Sequence, residues 1–424
     1  MKKIYRANIL FTKEKDQFEI LEKGYVAVSD GRVEAVATDL QSLDSTDAEL
    51  VDFGDSLLIP AMNDVHVHAP QYRNQGIAMD LELLPWLQNY TFPEESKYAD
   101  TAYAERMYRR FVHDLWRFGT MRSTVFATIH PESTRLLMNL FKEAGMGAQV
   151  GKVDMNRNCP DSLCETVEEA VRGNEQLIEE FCDPEALVRP IITPRFVPSC
   201  TSEMLQACGS LAKKYQLPVQ SHLSENLSEI AWVKDLEPES HHYGDAYNRY
   251  GLFGQTPTVM AHCVWTDGDE LRMMKQNGVM VAHCPTSNFN LGSGMAPIRT
   301  FIEEGVKVGL GSDISAGHDL NMFRIIVYAI QVSKMHWQRT NHEKAFLTLP
   351  EAFWLATKSA GSFYGKVGSF EPGYEFDALV IDDSDLNFDN YSLPHRLERF
   401  IYLGDDRQIT HRFCRGKEIS EPKI

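Results

Sequence analysis

Apolar residues follow two rhythms along this chain. At both ends, short apolar runs alternate with polar residues and are cut by Gly, Asp and Ser. IYRANILF, GYVAVSDGRVEAVA and LVDFGDSLLIP fall within residues 1–60; GYEFDALVIDDS and FIYLGDDRQITHRFCRGKEI fall within 370–424. That pattern predicts strands and turns, and its presence at both ends predicts one small β-sandwich domain built from the two termini.

Residues 61–369 behave differently. Strand-like runs occur at IPAMNDVHVH, GTMRSTVFATI, MGAQVGKVD, VRPIITPRFVP, LPVQSHLSE, PTVMAHCVW, GVMVAHCPTS and VKVGLGSDIS. Between them lie segments of helical period such as AYAERMYRRFVHDLWRFG, PESTRLLMNLFKEAG, SLCETVEEAVRGNEQLIEEFC and TSEMLQACGSLAKKYQ. Eight strand–helix units predict an α/β fold, a (β/α)8 barrel inserted into the small β domain. An open doubly wound sheet would carry a Gly-rich phosphate loop after its first strand, and that loop is missing here.

Composition narrows the function. The 424 residues carry a formal net charge of −18 and no basic stripe, which opposes a polyanionic partner such as nucleic acid. No stretch of eighteen apolar residues predicts a membrane span, and the N-terminal MKKIYRANILFTKEKD has no signal-peptide pattern. The eight cysteines are scattered without a CxxC pair, which fits a reducing compartment better than a disulfide framework. A cytoplasmic location is expected.

The chemistry sits where barrel active sites sit, at the C-terminal ends of the strands. Strand one ends in His66 and His68, strand four in Arg195 and Phe196, strand five in His222 with Glu225 beyond it, strand six in His262, strand seven in His283, and strand eight in Asp313. Neutral imidazoles with one carboxylate suit Zn2+, and the same donor types suit Fe2+. His66, His68 and His222 are expected ligands, and Asp313 either joins them or accepts a proton from the bound water. An ion there lowers the pKa of a bound water to about 7 from 15.7, and Glu225 is placed to carry a proton. His262 is either a fourth imidazole ligand or a hydrogen-bond partner of the activated water. His283 either lines the site or packs behind it. Arg195 has no acceptor atom and cannot bridge two metals, so a single ion is expected. Neither the H-x-E…P-C-x-x-C nor the H-E-x-x-H signature is present.

Taken together, these residues resemble the amidohydrolase superfamily over nearly the whole chain. The run VHVHAPQYRNQGIAMDLELLPWLQNYTFPEE, with PRFVPSC, SHLSEN, AHC and HCPTSN, is similar to the branch of mononuclear zinc aminohydrolases that deaminates guanine. The resemblance implies hydrolysis of free guanine to xanthine and ammonia at one zinc, in a homodimer. It implies His66, His68, His222 and Asp313 as the metal ligands, Glu225, Asp313 and His262 as catalytic groups and Gln71, Arg195 and Phe196 as purine contacts, with Trp86 and Phe92 as pocket-wall aromatics. Competing readings are an aminohydrolase for an adenosine derivative, cytosine or a triazine, and a non-catalytic barrel scaffold.

Overall fold

A computed structural model describes every residue except Met1 and Cys182; one of the eight cysteines therefore lies outside the described residues. The N-terminal segment forms β1 (Lys3–Phe11), β2 (Glu19–Ser29), β3 (Arg32–Ala37) and β4 (Glu49–Pro60). The barrel strands follow: β5 (Met62–His68), β6 (Thr120–Phe126), β7 (Gly147–Gly151) with β8 (Val153–Asp154), β9 (Val188–Pro190) with β10 (Thr193–Pro194), β11 (Val219–Leu223), β12 (Thr258–His262), β13 (Met280–His283) and β14 (Lys307–Leu310). The C-terminal segment supplies β15 (Ala378–Ile381), β16 (Ile409–Cys414) and β17 (Lys417–Glu418).

All eight predicted barrel runs form strands. β5, β6, β7 and β9 pair in parallel, as do β11, β12, β13 and β14. The two halves join where Gln220 N–H donates to the Ile192 carbonyl at 3.0 Å. The ring closes where Asp313 N–H donates to His66 O at 2.9 Å and His68 N–H to Ile314 O at 3.1 Å. Strands buried on both faces read as continuous apolar runs. Val65, Val259, Ala261, Met280, Ala282 and Cys284 pack together inside the ring. The surrounding helices bury one stripe each. In the helix Thr101–Arg117, Asp100 caps the first turn by accepting from Ala102 N–H and Tyr103 N–H. Ala104, Tyr108, Phe111, Val112 and Leu115, at helical spacing, face the core. Among the described residues no helix is long and apolar enough to cross a membrane.

Three expectations are refined or corrected. The two layers of the terminal sandwich come from one mixed seven-stranded sheet, ordered β17-β16-β15-β4-β1-β2-β3, that folds over on itself: Tyr5 of β1 and Phe413 of β16, three strands apart in that order, have ring centroids 5.3 Å apart. β4 pairs in parallel with β1 on one edge and antiparallel with β15 on the other, so the hydrogen-bond ladder never breaks between the termini. One face gathers Tyr5, Ile9, Phe11, Val26, Phe376 and Phe413, while Leu10, Leu57, Ile59, Leu379 and Ile381 from the same strands join the barrel core. Second, the FIYL of the C-terminal run belongs to a helix, Leu393–Leu403; Pro394 starts it, and Leu397, Phe400 and Ile401 form its buried stripe. Third, Cys159 and Cys164 are joined in a disulfide. A tight loop brings their Cα atoms to 5.8 Å, within bridging range, whereas the described free cysteines, 200, 208, 263, 284 and 414, are all buried.

An ion-pair cluster fastens the sheet to the barrel. Arg122 on β6 donates to Asp377 Oδ2 at 2.6 Å and to Glu375 Oε2 at 2.5 Å, and only 4% of the Arg122 side chain is exposed.

Candidate active site

Apart from His283, the predicted strand-end residues meet at one mouth of the barrel. The pairing of β5 with β6 shifts register between Asp64 and Val67. This irregularity leaves the His66 and His68 rings perpendicular, with centroids 4.9 Å apart. His66 Nε2 is 3.1 Å and His68 Nε2 3.5 Å from Asp313 Oδ1. His68 Nε2 lies 3.1 Å from His222 Nε2. Phe126 packs against the rings of His66, His68 and His222 with centroids 4.5 to 5.0 Å away, closing the site below.

Backbone conformation aims several of these groups. Ser224, His262, Cys263 and Asp313 have φ of 46°, 71°, 51° and 50°. Non-glycine residues rarely adopt this left-handed region, and they concentrate at functional sites.

The protonation states follow from burial. The pKa values of His66, His68 and His222 are driven well below the usual histidine range, first by burial and then by the charge of neighbouring histidines, His262 among them; the imidazoles are neutral. His222 Nδ1 lies 2.6 Å from the Arg195 carbonyl, which can only accept, so Nδ1 carries the hydrogen and the Nε2 lone pair faces the cluster. His66 Nε2 is buried with no hydrogen-bond partner in the protein. A buried polar atom without a partner is destabilising, and lone pairs directed at one another are relieved by a cation between them. The donor set therefore fits a metal ion. His66, His222 and His262 each bring a ring nitrogen within 4.8 Å of the others, as do His66, Cys284 and Asp313 with their donor atoms. Cys284 is a buried thiol whose pKa is raised by burial and by the Asp313 and Asp64 charges. It donates to Ala282 O and is a poorer donor to a metal than the Asp313 carboxylate.

Two carboxyls stand beside this cluster with unusual acidity. Burial, reinforced by the Asp313 charge, raises Glu225 to about 8. Burial raises Asp313 to about 6, against the opposing influence of His262 and Arg195. His262 lies between them, with Nε2 3.4 Å from Glu225 Oε2 and 3.8 Å from Asp313 Oδ2.

A cleft of about 420 Å³ opens above these groups. His68, Gln71, Trp86, Arg195, Phe196, His222, Glu225, His262 and Asp313 all line it. Of the two expected wall aromatics, Trp86 is in place and Phe92 is not: its ring lies 5.1 Å from the Arg195 guanidinium carbon, supporting that side chain by a cation–π contact. His66 sits below the cleft with the other donors. His283 does not reach it; its side chain shares a separate small cavity with Arg299 and His336, and burial lowers its pKa to about 3.

Several residues that shape the site were not predicted. Asn288 Oδ1 is 2.9 Å from His262 Nδ1. Ser293 donates to Glu225 Oε1 at 3.0 Å. Glu95 contacts both Gln71 and Arg195. Leu83, Leu87, Leu291 and Ala316 supply the apolar wall. Asn288 and Glu95 fall inside motifs noted in the sequence, HCPTSN and TFPEE; their pairing with His262, Gln71 and Arg195, which lie elsewhere along the chain, carried no local signal.

This chain belongs to the amidohydrolase family, whose pattern matches residues 57–419. Relatives matched over nearly the whole chain include guanine deaminases. The guanine deaminase of Dictyostelium discoideum is 36% identical over 443 residues, covering 98% of each chain. The crystal structure of guanine deaminase from C. acetobutylicum, with guanine bound in its active site, is 52% identical, with a TM-score of 0.97 over 99% of this chain and 100% of that one. The E. coli guanine deaminase structure is 32% identical, with a TM-score of 0.89 and full coverage of both chains.

Proposed function

We infer that this protein hydrolyses guanine to xanthine and ammonia. The observation that carries the chemistry is the convergence of neutral imidazoles on Asp313 beneath a cleft whose wall holds Glu225, Arg195 and Gln71. Guanine as the substrate is supported by the 52% identical C. acetobutylicum enzyme.

We propose His66, His68, His222 and Asp313 as ligands of a single divalent ion, with zinc the best match to three imidazoles and a carboxylate. Such an ion would supply a nucleophilic hydroxide at neutral pH. Asp313, with its pKa raised to about 6, is placed to take a proton from the attacking water. The Nε2 atom of His262 faces the reaction space while Asn288 holds Nδ1, so His262 orients that water. Glu225, still protonated at neutral pH, donates to N3 of the purine and makes C2 more electrophilic. After attack at C2 the amino nitrogen gains a proton, the C2–N bond breaks, and ammonia leaves.

Recognition rests on Arg195, Gln71, Phe196 and Trp86. Arg195 offers N–H donors in a fixed fork to a purine carbonyl or ring nitrogen, and Gln71 offers a donor and an acceptor. Phe196 and Trp86 supply aromatic surface for a flat base. A purine with an amino group at C6 would set donor against donor, leaving buried groups unpaired at about 1–3 kcal/mol each.

We further propose three units, residues 1–60 and 370–424 of the small β domain and the catalytic barrel of 61–369, in a cytoplasmic homodimer. Both the dimer and the location rest on family resemblance.

The experiment is an absorbance assay of guanine-to-xanthine conversion, run beside ammonia release from adenine and cytosine. Turnover of guanine alone is expected, nearly abolished in Glu225→Gln. Turnover of adenine without guanine would overturn the substrate, and a fully active Glu225→Gln would remove Glu225 from its role.

A further inference from the structure

Glu94 and Glu95 are consecutive on the short helix Phe92–Glu95, yet they serve different partners. Glu94 accepts from Lys97 Nζ at 2.6 Å, from Arg73 at 3.4 Å and from the Tyr103 hydroxyl. Glu95 turns inward and is 2% exposed. Its Oε1 accepts from Gln71 Nε2 at 2.9 Å and its Oε2 from Arg195 Nη1 at 2.5 Å. The other end of the Gln71 amide accepts from Ser315 N–H at 3.2 Å.

Two consequences follow from the chemistry of a carboxylate. The first is orientation. An ionised carboxylate only accepts, so Gln71 must turn its nitrogen to Glu95 and its oxygen to the Ser315 amide. A flipped amide would set oxygen against oxygen and nitrogen against N–H. The second is charge. Arg195 is permanently cationic, and 3% of its side chain is exposed. Paired with Glu95 inside the pocket wall, it presents N–H donors without net charge.

Building on the guanine reading above, we propose that Glu95 is a positioning residue that sets purine specificity. It locks the Gln71 amide and cancels the Arg195 charge, so the cleft accepts neutral purines and rejects purine anions.

The test measures direct binding of two purines by calorimetry, alongside guanine turnover, for wild type, Glu95→Gln and Glu95→Asp. Xanthine loses its first proton near neutral pH, whereas hypoxanthine stays neutral there. In wild type, affinity for xanthine relative to hypoxanthine should fall as pH rises through xanthine's first ionisation. Glu95→Gln frees the Arg195 charge; it should shift that ratio about tenfold toward the xanthine anion and raise KM for guanine about tenfold or more, with a smaller effect on kcat. Glu95→Asp keeps the charge but shortens the reach, so KM should rise while the ratio stays near that of wild type. An unchanged ratio in Glu95→Gln would overturn the proposal. So would a wild type that turns over guanine yet binds the xanthine anion as well as the neutral form, a result that needs no variant to fold. A wild type that discriminates between the two forms but leaves guanine unchanged would instead overturn the guanine reading.

Discussion

The backbone N–H of Asp313 donates to the carbonyl of His66 across 2.9 Å, while the Asp313 carboxylate lies 3.1 Å from the His66 ring. The seam that closes the barrel is therefore also the floor of the active site. A change in the Asp313 side chain should empty the site without opening the seam, because the main-chain bond is retained. Asp313→Asn is expected to fold with near-native thermal stability, to lose bound metal, and to lose turnover by about 100-fold or more. Calorimetry and metal analysis on the same preparation check both halves.

The acidity of Glu225 predicts a pH profile. A carboxyl raised to about 8 stays protonated through neutral pH and loses its proton above that value. Proton donation to the purine is thus available below about pH 8 and lost as pH rises through it, so kcat should fall on the alkaline side. Glu225→Gln should lose about 100-fold or more in rate and with it this alkaline limb, which a stopped assay at high enzyme concentration can read.

Asn288 touches no predicted ligand but fixes the ring of His262 at 2.9 Å. Asn288→Ala should leave KM for guanine near the wild-type value and lower kcat by about 10- to 100-fold, the usual range for losing a partner that orients a working group. Steady-state kinetics separates the two parameters.

The clustered site residues were legible because each lies at or just beyond the end of an apolar strand, and parallel barrel strands bring their C-terminal ends to one mouth. His66, His68, His222, His262 and Asp313 needed only that rule. His283 shared the signal and misled it: a strand end gives position but not facing, and this side chain turns into the helix layer. Glu95 and Asn288 were invisible for a different reason. Their roles depend on which side chain stands opposite, and Arg195 is 100 residues from Glu95 along the chain. That the terminal sandwich is one continuous sheet folded over on itself was not legible, because alternation gives the faces of a strand, not its neighbours. The helix containing FIYL was missed because its apolar run alone fits either a strand or a buried helix.

Arg122 ties the terminal sheet to the barrel through Asp377 and Glu375 in a buried cluster. Removing one partner of such a pair strands a buried charge. Arg122→Ala should destabilise the fold by about 3–5 kcal/mol while leaving turnover per folded molecule unchanged. Urea unfolding followed with activity measured at each point would show the two effects apart.

One metal ion, held by His66, His68, His222 and Asp313, is proposed to activate the water that attacks guanine. The direct measurement is metal content per chain, followed with guanine turnover through chelation and stepwise return of zinc. Activity should disappear with the ion and return in proportion to zinc, saturating at about one equivalent per chain. Full guanine turnover by a metal-free chain, or saturation only at two equivalents, would contradict it.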